Sequence, residues 1–133
     1  MGIIATHMRD GDVSGAVVTG DFNAIQCFDR TLHTENALED AYLTLGGEEG
    51  NEGGYTWGQQ ALPELRRLYG CSRMDKVYFC GDGLKVSEFE RFGAGVEPDH
   101  GEGNARKKLL SFGFEKPWIT DHLGVKAVFD IIH

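Results

Sequence analysis

Long apolar runs are missing from this chain, and so are cysteine pairs and basic stripes. No segment approaches the roughly 18 consecutive apolar residues that a membrane-crossing helix needs, and no leader-like stretch opens the chain. No membrane partner is expected. Cysteine is scarce: Cys27, Cys71 and Cys80 are odd in number and show no Cys-x-x-Cys spacing. That argues against a disulfide framework or a structural zinc. A reducing, intracellular setting, cytoplasm or nucleus, is the simpler reading. Positive charge is the third shortage, with 13 Lys and Arg against 21 Asp and Glu and a net charge of −8. The pairs and triplets "RR" (66–67) and "RKK" (106–108) are isolated, so no stripe tracks a phosphate backbone, and broad nucleic-acid binding is not expected. An acidic balance is compatible with a phosphate substrate held through carboxylates and a metal ion.

Glycine is what the chain has in excess. Its 19 glycines are about double the usual share of roughly 7%, and six of them fall between Gly46 and Gly58, which marks one flexible loop. At 133 residues the chain is long enough for a single domain with a core. "GIIATHM" and "AVVTGDF" read as strands around a turn-rich "RDGDVSG". "TENALEDAYLTLG" carries Ala37, Leu38, Ala41 and Leu45 at helical spacing, with Thr34 as its N-cap, and predicts one helix. "YTW" reads as a brief extended piece, and "LPELRRLYG" as a short helix with Pro63 in its first turn. "SRMDKVYF", "LKVSEFERFG" and "HLGVKAVFDII" read as strands, "GVEPDHGEGNARK" as loop and "KLLSFGF" as extended. The fold class is α+β, one mainly antiparallel sheet with helices on one side.

Chemistry gathers at strand ends. "VVTGDFNA" runs an apolar strand into Gly20 and then places Asp21 and Asn23 two apart, so that in extended backbone both project from one face. "SRMDK" puts Asp75 at the start of another strand, and "ITDHLGV" puts Asp121 and His122 just before the last. If those ends converge, an Asp–His pair fixes the imidazole tautomer, and a second Asp with an amide can hold a hard cation or orient water. The alternative is solvated strand ends.

"GDFNA", "YTW", "SRMDKVYF" and "ITDHLGV", in that order over roughly residues 15 to 131, resemble the endonuclease/exonuclease/phosphatase superfamily of magnesium-dependent phosphodiesterases and phosphatases. "TW" followed by an Arg-x-Asp strand is most similar to its 5′-tyrosyl-DNA phosphodiesterase-like branch. The resemblance implies that Asp21 protonates the leaving group or positions the attacking water and that Asn23 binds the scissile phosphate. It implies that Asp75 orients the histidine, Asp121 serves a magnesium (or manganese) ion or its water shell, with Asp21 as a further metal contact, and His122 stabilises the transition state. Trp57 would line the substrate groove or simply pack in the core, and His7, in "ATHM", matches a further histidine position of the family's central strand.

Only the second half of that family's two-sheet αββα domain is matched. Its first half brings a glutamate as the main magnesium ligand, and nothing upstream of Gly20 supplies one here. The implied organisation is one truncated domain over residues 1–133, with weak metal affinity unless that ligand is replaced. A sheet with helices on one side leaves its other face open, so a second copy or another polypeptide is expected to cover it. Two functional readings stay open: a metal-dependent phosphoric ester hydrolase acting on a phosphate-ester substrate, or a non-catalytic binding or dimerisation module derived from the same fold. A calcium-loop reading of "DGDVSGAVVTGD", with Asp10, Asp12, Ser14 and Asp21 as oxygen donors, lacks the usual twelfth-position Glu and reads more simply as a hairpin loop.

Overall fold

The computed structural model describes residues 1–133. Strand β3 (Asp75–Cys80) organises it, because every residue from Lys76 to Cys80 is buried. Strand β1 (Ala16–Asp21) pairs antiparallel with one edge of β3, from Ala16 opposite Cys80 to Asp21 opposite Asp75. The two-residue β2 (Glu39–Asp40) pairs antiparallel with the other edge. A separate antiparallel ladder joins β4 (Leu84–Phe92) to β5 (Gly124–Ile131). The α+β class with antiparallel pairing is as expected; the strands divide into two ladders where one sheet was expected.

Side chains alternate across β3 and so feed two cores. Tyr78 and Cys80 pack with Ala5, Met8 and Leu38 on the helical side. Val77 and Phe79 pack on the opposite side with Ala41 and Val86, and with Phe89, Val125, Ala127 and Phe129 of the second ladder. The β4–β5 pair packs on this Val77 and Phe79 side of β3, while Val17, opposite Phe79, stays 45% exposed. Each fully buried aliphatic or aromatic side chain in these layers contributes about 1.5–3 kcal/mol of transfer free energy.

Three local expectations are corrected. Residues Gly2–Met8 form helix α1, not a strand. Ala5 and Met8, three apart, would face opposite sides of a strand, whereas on a helix they share the face that packs on Tyr78 and Cys80. The single helix expected near 34–46 is instead α2 (Leu32–Glu35), then β2, then α3 (Ala41–Thr44). Ala37 breaks it with φ +51°, and the break sends Leu38 into one core and Ala41 into the other, which a continuous helix could not do. Asp40 starts α3 by accepting the Tyr42 and Leu43 amides through Oδ1, at 3.0 and 3.4 Å.

The third correction is α5 (Gly103–Ser111), which covers residues expected to be loop and extended chain. None of its residues is fully buried; the helix propensity of a run of Ala, Arg, Lys and Leu is joined by Arg106, which pairs with Glu97 at 2.9 Å and donates to the Pro98 carbonyl at 3.0 Å. Helix α4 (Pro63–Tyr69) begins on Pro63 and stops at Gly70, whose φ of +70° suits only glycine well, as expected.

Candidate active site

Directly opposed residues of an antiparallel pair share a face, so the register that sets Asp21 against Asp75 brings the two carboxylates side by side at one end of β1 and β3. The chain turns immediately afterwards. Asp21 Oδ1 accepts the Asn23 amide at 2.9 Å, and Asn23 takes a left-handed φ of +47°. Asn23 thus stands in a turn beyond the strand, which corrects the expectation that it shares a strand face with Asp21. Asparagine tolerates this conformation because its short polar side chain can bond locally.

The third strand end arrives through β5. His122 Nδ1 lies 2.8 Å from Asp75 Oδ2. A carboxylate accepts and does not donate, so Nδ1 carries the proton and Nε2 is left to face a reacting group. The His122 side chain is 30% exposed and that of Asp75 17%, so the pair is sheltered on the Asp75 side and open on the other. Burial alone would lower the His122 pKa. The hydrogen bond that His122 donates to Asp75 and the charges of Asp75, Asp121 and Asp21 outweigh it and raise the pKa above the ordinary 6.5. Asp21, Asp75 and Asp121 therefore all lie near enough to act on His122, and the strand ends do converge.

"YTW" ties this arrangement together. The Trp57 backbone bridges both Ser72 and His122, and its indole Nε1–H donates to Asp121 Oδ2 at 3.2 Å. Trp57 lines neither the polar cleft of about 190 Å³ beside the Asn23 turn nor the adjoining cleft of about 630 Å³. Thr56, fully buried, is one residue that the motifs did not single out. Its Oγ1 accepts the Met74 and Asp75 amides at 3.1 and 3.0 Å, and its carbonyl accepts the Leu123 amide at 2.7 Å. One residue thus ties both segments: its side chain holds the backbone that carries Asp75, and its carbonyl holds the backbone next to His122. Thr120 closes the loop around the histidine: its Oγ1 accepts the His122 amide at 3.1 Å and lies 3.0 Å from the His122 carbonyl. Gln60, also buried, donates to the Thr120 carbonyl at 2.9 Å. Spacing gave no signal for these three; the only cue was that Thr56 and Thr120 lie inside the quoted motifs.

His7 is not brought in. It lies exposed on α1, and the carbonyl of the next residue, Met8, accepts from Cys80 Sγ at 3.6 Å. Cys80 is at the far end of β3 from Asp75, about 17 Å along the strand.

Beneath the site runs a buried ion cluster. Arg73, 4% exposed, pairs with Asp40 at 2.8 Å and with Glu49, and its guanidinium lies over the Tyr42 ring at 5.3 Å. Burial would raise the Glu49 pKa, but Arg73 outweighs it and holds the carboxyl below its usual value. The polar cleft beside Ala24, Ile25 and Gln26 has Glu49 and Arg73 in its lining.

The donor chemistry for a divalent ion is of the right kind and falls short in number. Asp21 and Asp121 are hard oxygen donors. No group of three or more His, Cys, Asp or Glu side chains able to hold an ion forms anywhere in the structure, the Asp10–Asp21 loop included. The residues present do not make a metal centre by themselves. Nor is any helix long and apolar enough to cross a membrane.

A family model described as Endonuclease/Exonuclease/phosphatase family matches residues 5–122. No curated protein matches the chain.

Proposed function

Because the chain belongs to the Endonuclease/Exonuclease/phosphatase family, we propose that it hydrolyses a phosphoric ester and that the Asp75–His122 pair is the working centre. The single observation that carries this reading is the 2.8 Å contact between Asp75 and His122 Nδ1, with Asp21 on the same strand face. Asp75 holds the ring and favours its protonated form. That places a cationic Nε2–H donor where negative charge develops on a phosphoryl oxygen. Asn23 supplies a neutral amide donor to the same phosphate, and Asp21 orients the attacking water or serves the leaving group. Asp121, steadied by Trp57, contributes negative charge beside the histidine.

Enzymes of the family generally use divalent metal ions. With no three-ligand group formed, Asp21 and Asp121 would hold magnesium or manganese only weakly, and the ion would supply charge neutralisation at the phosphate. The finer placement, near 5′-tyrosyl-DNA phosphodiesterases, rests on "TW" and "SRMD" alone. One observation favours the second reading, a non-catalytic binding or dimerisation module: the same lack of a three-ligand cluster.

Calorimetric titration with magnesium and manganese, on wild type and Asp121→Ala, beside hydrolysis of a nitrophenyl phosphodiester, separates the two. Weak saturable binding lost in the variant, together with turnover, supports the hydrolase. Neither binding nor turnover, with self-association in light scattering, supports the module.

A further inference from the structure

Lys76 is 1% exposed at the second position of the central strand. Lysine is almost never so deeply buried unless paired, yet this ammonium forms no ion pair. Its one hydrogen bond goes to the Ala24 carbonyl at 3.0 Å. Alternation along β3 sends Lys76 to the face opposite Asp75, so it does not point at the Asp75–His122 pair. Burial and the charge of Arg73 pull its pKa down, while Glu49, Asp40 and Asp29 act to keep it charged.

A methionine would fill the same space without the cost of burying a charge. What the ammonium adds is a donor, and that donor reaches the residue directly after Asn23. The turn from Asp21 to Ala24 is then tied to β3 and its lead-in at three points. Asp21 pairs with Asp75, the Phe22 amide donates to the Met74 carbonyl at 3.0 Å, and the Ala24 carbonyl accepts from Lys76. Between the last two ties sits Asn23 in its left-handed conformation, which a non-glycine residue adopts at a cost and keeps only if its surroundings hold it.

We propose that Lys76 is a positioning residue: its buried ammonium, by holding the Ala24 carbonyl, fixes the left-handed turn that presents Asn23 to the phosphate. This rests on the reading of Asn23 as a phosphate-binding amide, and it extends that reading to a residue on the far face of the sheet.

The test uses the full chain as wild type, Lys76→Met and Lys76→Gln, with two readouts. The first is hydrogen exchange of the Phe22 and Asn23 amides, which needs no activity. Loss of the tie speeds it about tenfold in Lys76→Met while amides of β4 and β5 are unchanged. The second is steady-state hydrolysis of a nitrophenyl phosphodiester, where a misplaced Asn23 lowers kcat by up to about 100-fold with KM little changed. Lys76→Gln keeps a shorter donor and falls between.

Unchanged exchange at Phe22 and Asn23 overturns the proposal. So does faster exchange with wild-type kcat, since the turn would then be loosened without consequence. A Lys76→Met protein that does not fold, beside a folded Lys76→Gln with wild-type kcat, makes the ammonium purely structural and also overturns it. If wild type itself turns nothing over, the hydrolase reading fails separately. Exchange alone then decides whether Lys76 locks the turn.

Discussion

Replacing Thr56 by valine keeps the shape of the side chain and deletes one oxygen. That oxygen accepts two amides, Met74 at 3.1 Å and Asp75 at 3.0 Å, in a residue with no exposed surface. Both donors are part-buried and lose their partner, and each orphaned group costs about 1–3 kcal/mol. Partial relaxation toward water or toward each other's neighbours keeps the sum near the lower end, so the variant should lose about 2–4 kcal/mol. With an m-value of about 2 kcal/mol/M in urea, the unfolding midpoint falls by roughly 1–2 M. Equilibrium urea unfolding followed by tryptophan fluorescence reads this directly, and m should stay constant. Because the Thr56 carbonyl also holds the Leu123 amide at 2.7 Å, the backbone of Asp75 should loosen while that of Leu123 does not. A midpoint within 0.2 M (~0.4 kcal/mol) of wild type would refute the claim that this hydroxyl anchors the site.

Two further outcomes are expected. Arg73→Met strips the buried Asp40 carboxylate of its partner and should destabilise the fold by about 3–5 kcal/mol in the same urea assay; adding Asp40→Asn should recover part of the loss through coupling. Asp75→Asn should bring the His122 pKa down, read from the imidazole Cε1–H shift by NMR against pH. The sign follows from linkage. A raised folded-state pKa stabilises fully below the unfolded value of about 6.5, and that contribution is lost as pH rises through the folded value; Asp75→Asn should flatten this slope.

The strands were legible because their signal is local. β-branched and aromatic residues in "SRMDKVYF" and alternation in "LKVSEFERFG" survive into β3 and β4. Helix α1 was not, because a short apolar run fits either period, and only the packing of both Ala5 and Met8 on one core selects the helix. The break at Ala37 has no local signature either. It follows from the need to place Leu38 and Ala41 on opposite sides of β3. At the site, motif order singled out Asp21, Asp75, Asp121 and His122; the register sets Asp21 beside Asp75, the histidine meets Asp75, and Asp121 is held by Trp57. What motif order could not deliver were the supports: Thr56, Gln60 and Lys76 act through bonds between segments far apart in sequence, and Thr120 through a local bond to His122 that its spacing does not signal. The expectation that Asp21 and Asn23 share a strand face is corrected by a local bond: the strand stops at Asp21, whose side chain accepts the Asn23 amide in the turn that follows.

The most direct test of the central claim is hydrolysis of a bis-nitrophenyl phosphate by wild type and by His122→Ala across a magnesium series. Turnover by wild type that falls by about 100-fold or more in His122→Ala is the result the account predicts. Equal rates in the two proteins, or no turnover by wild type at any magnesium concentration, would contradict it.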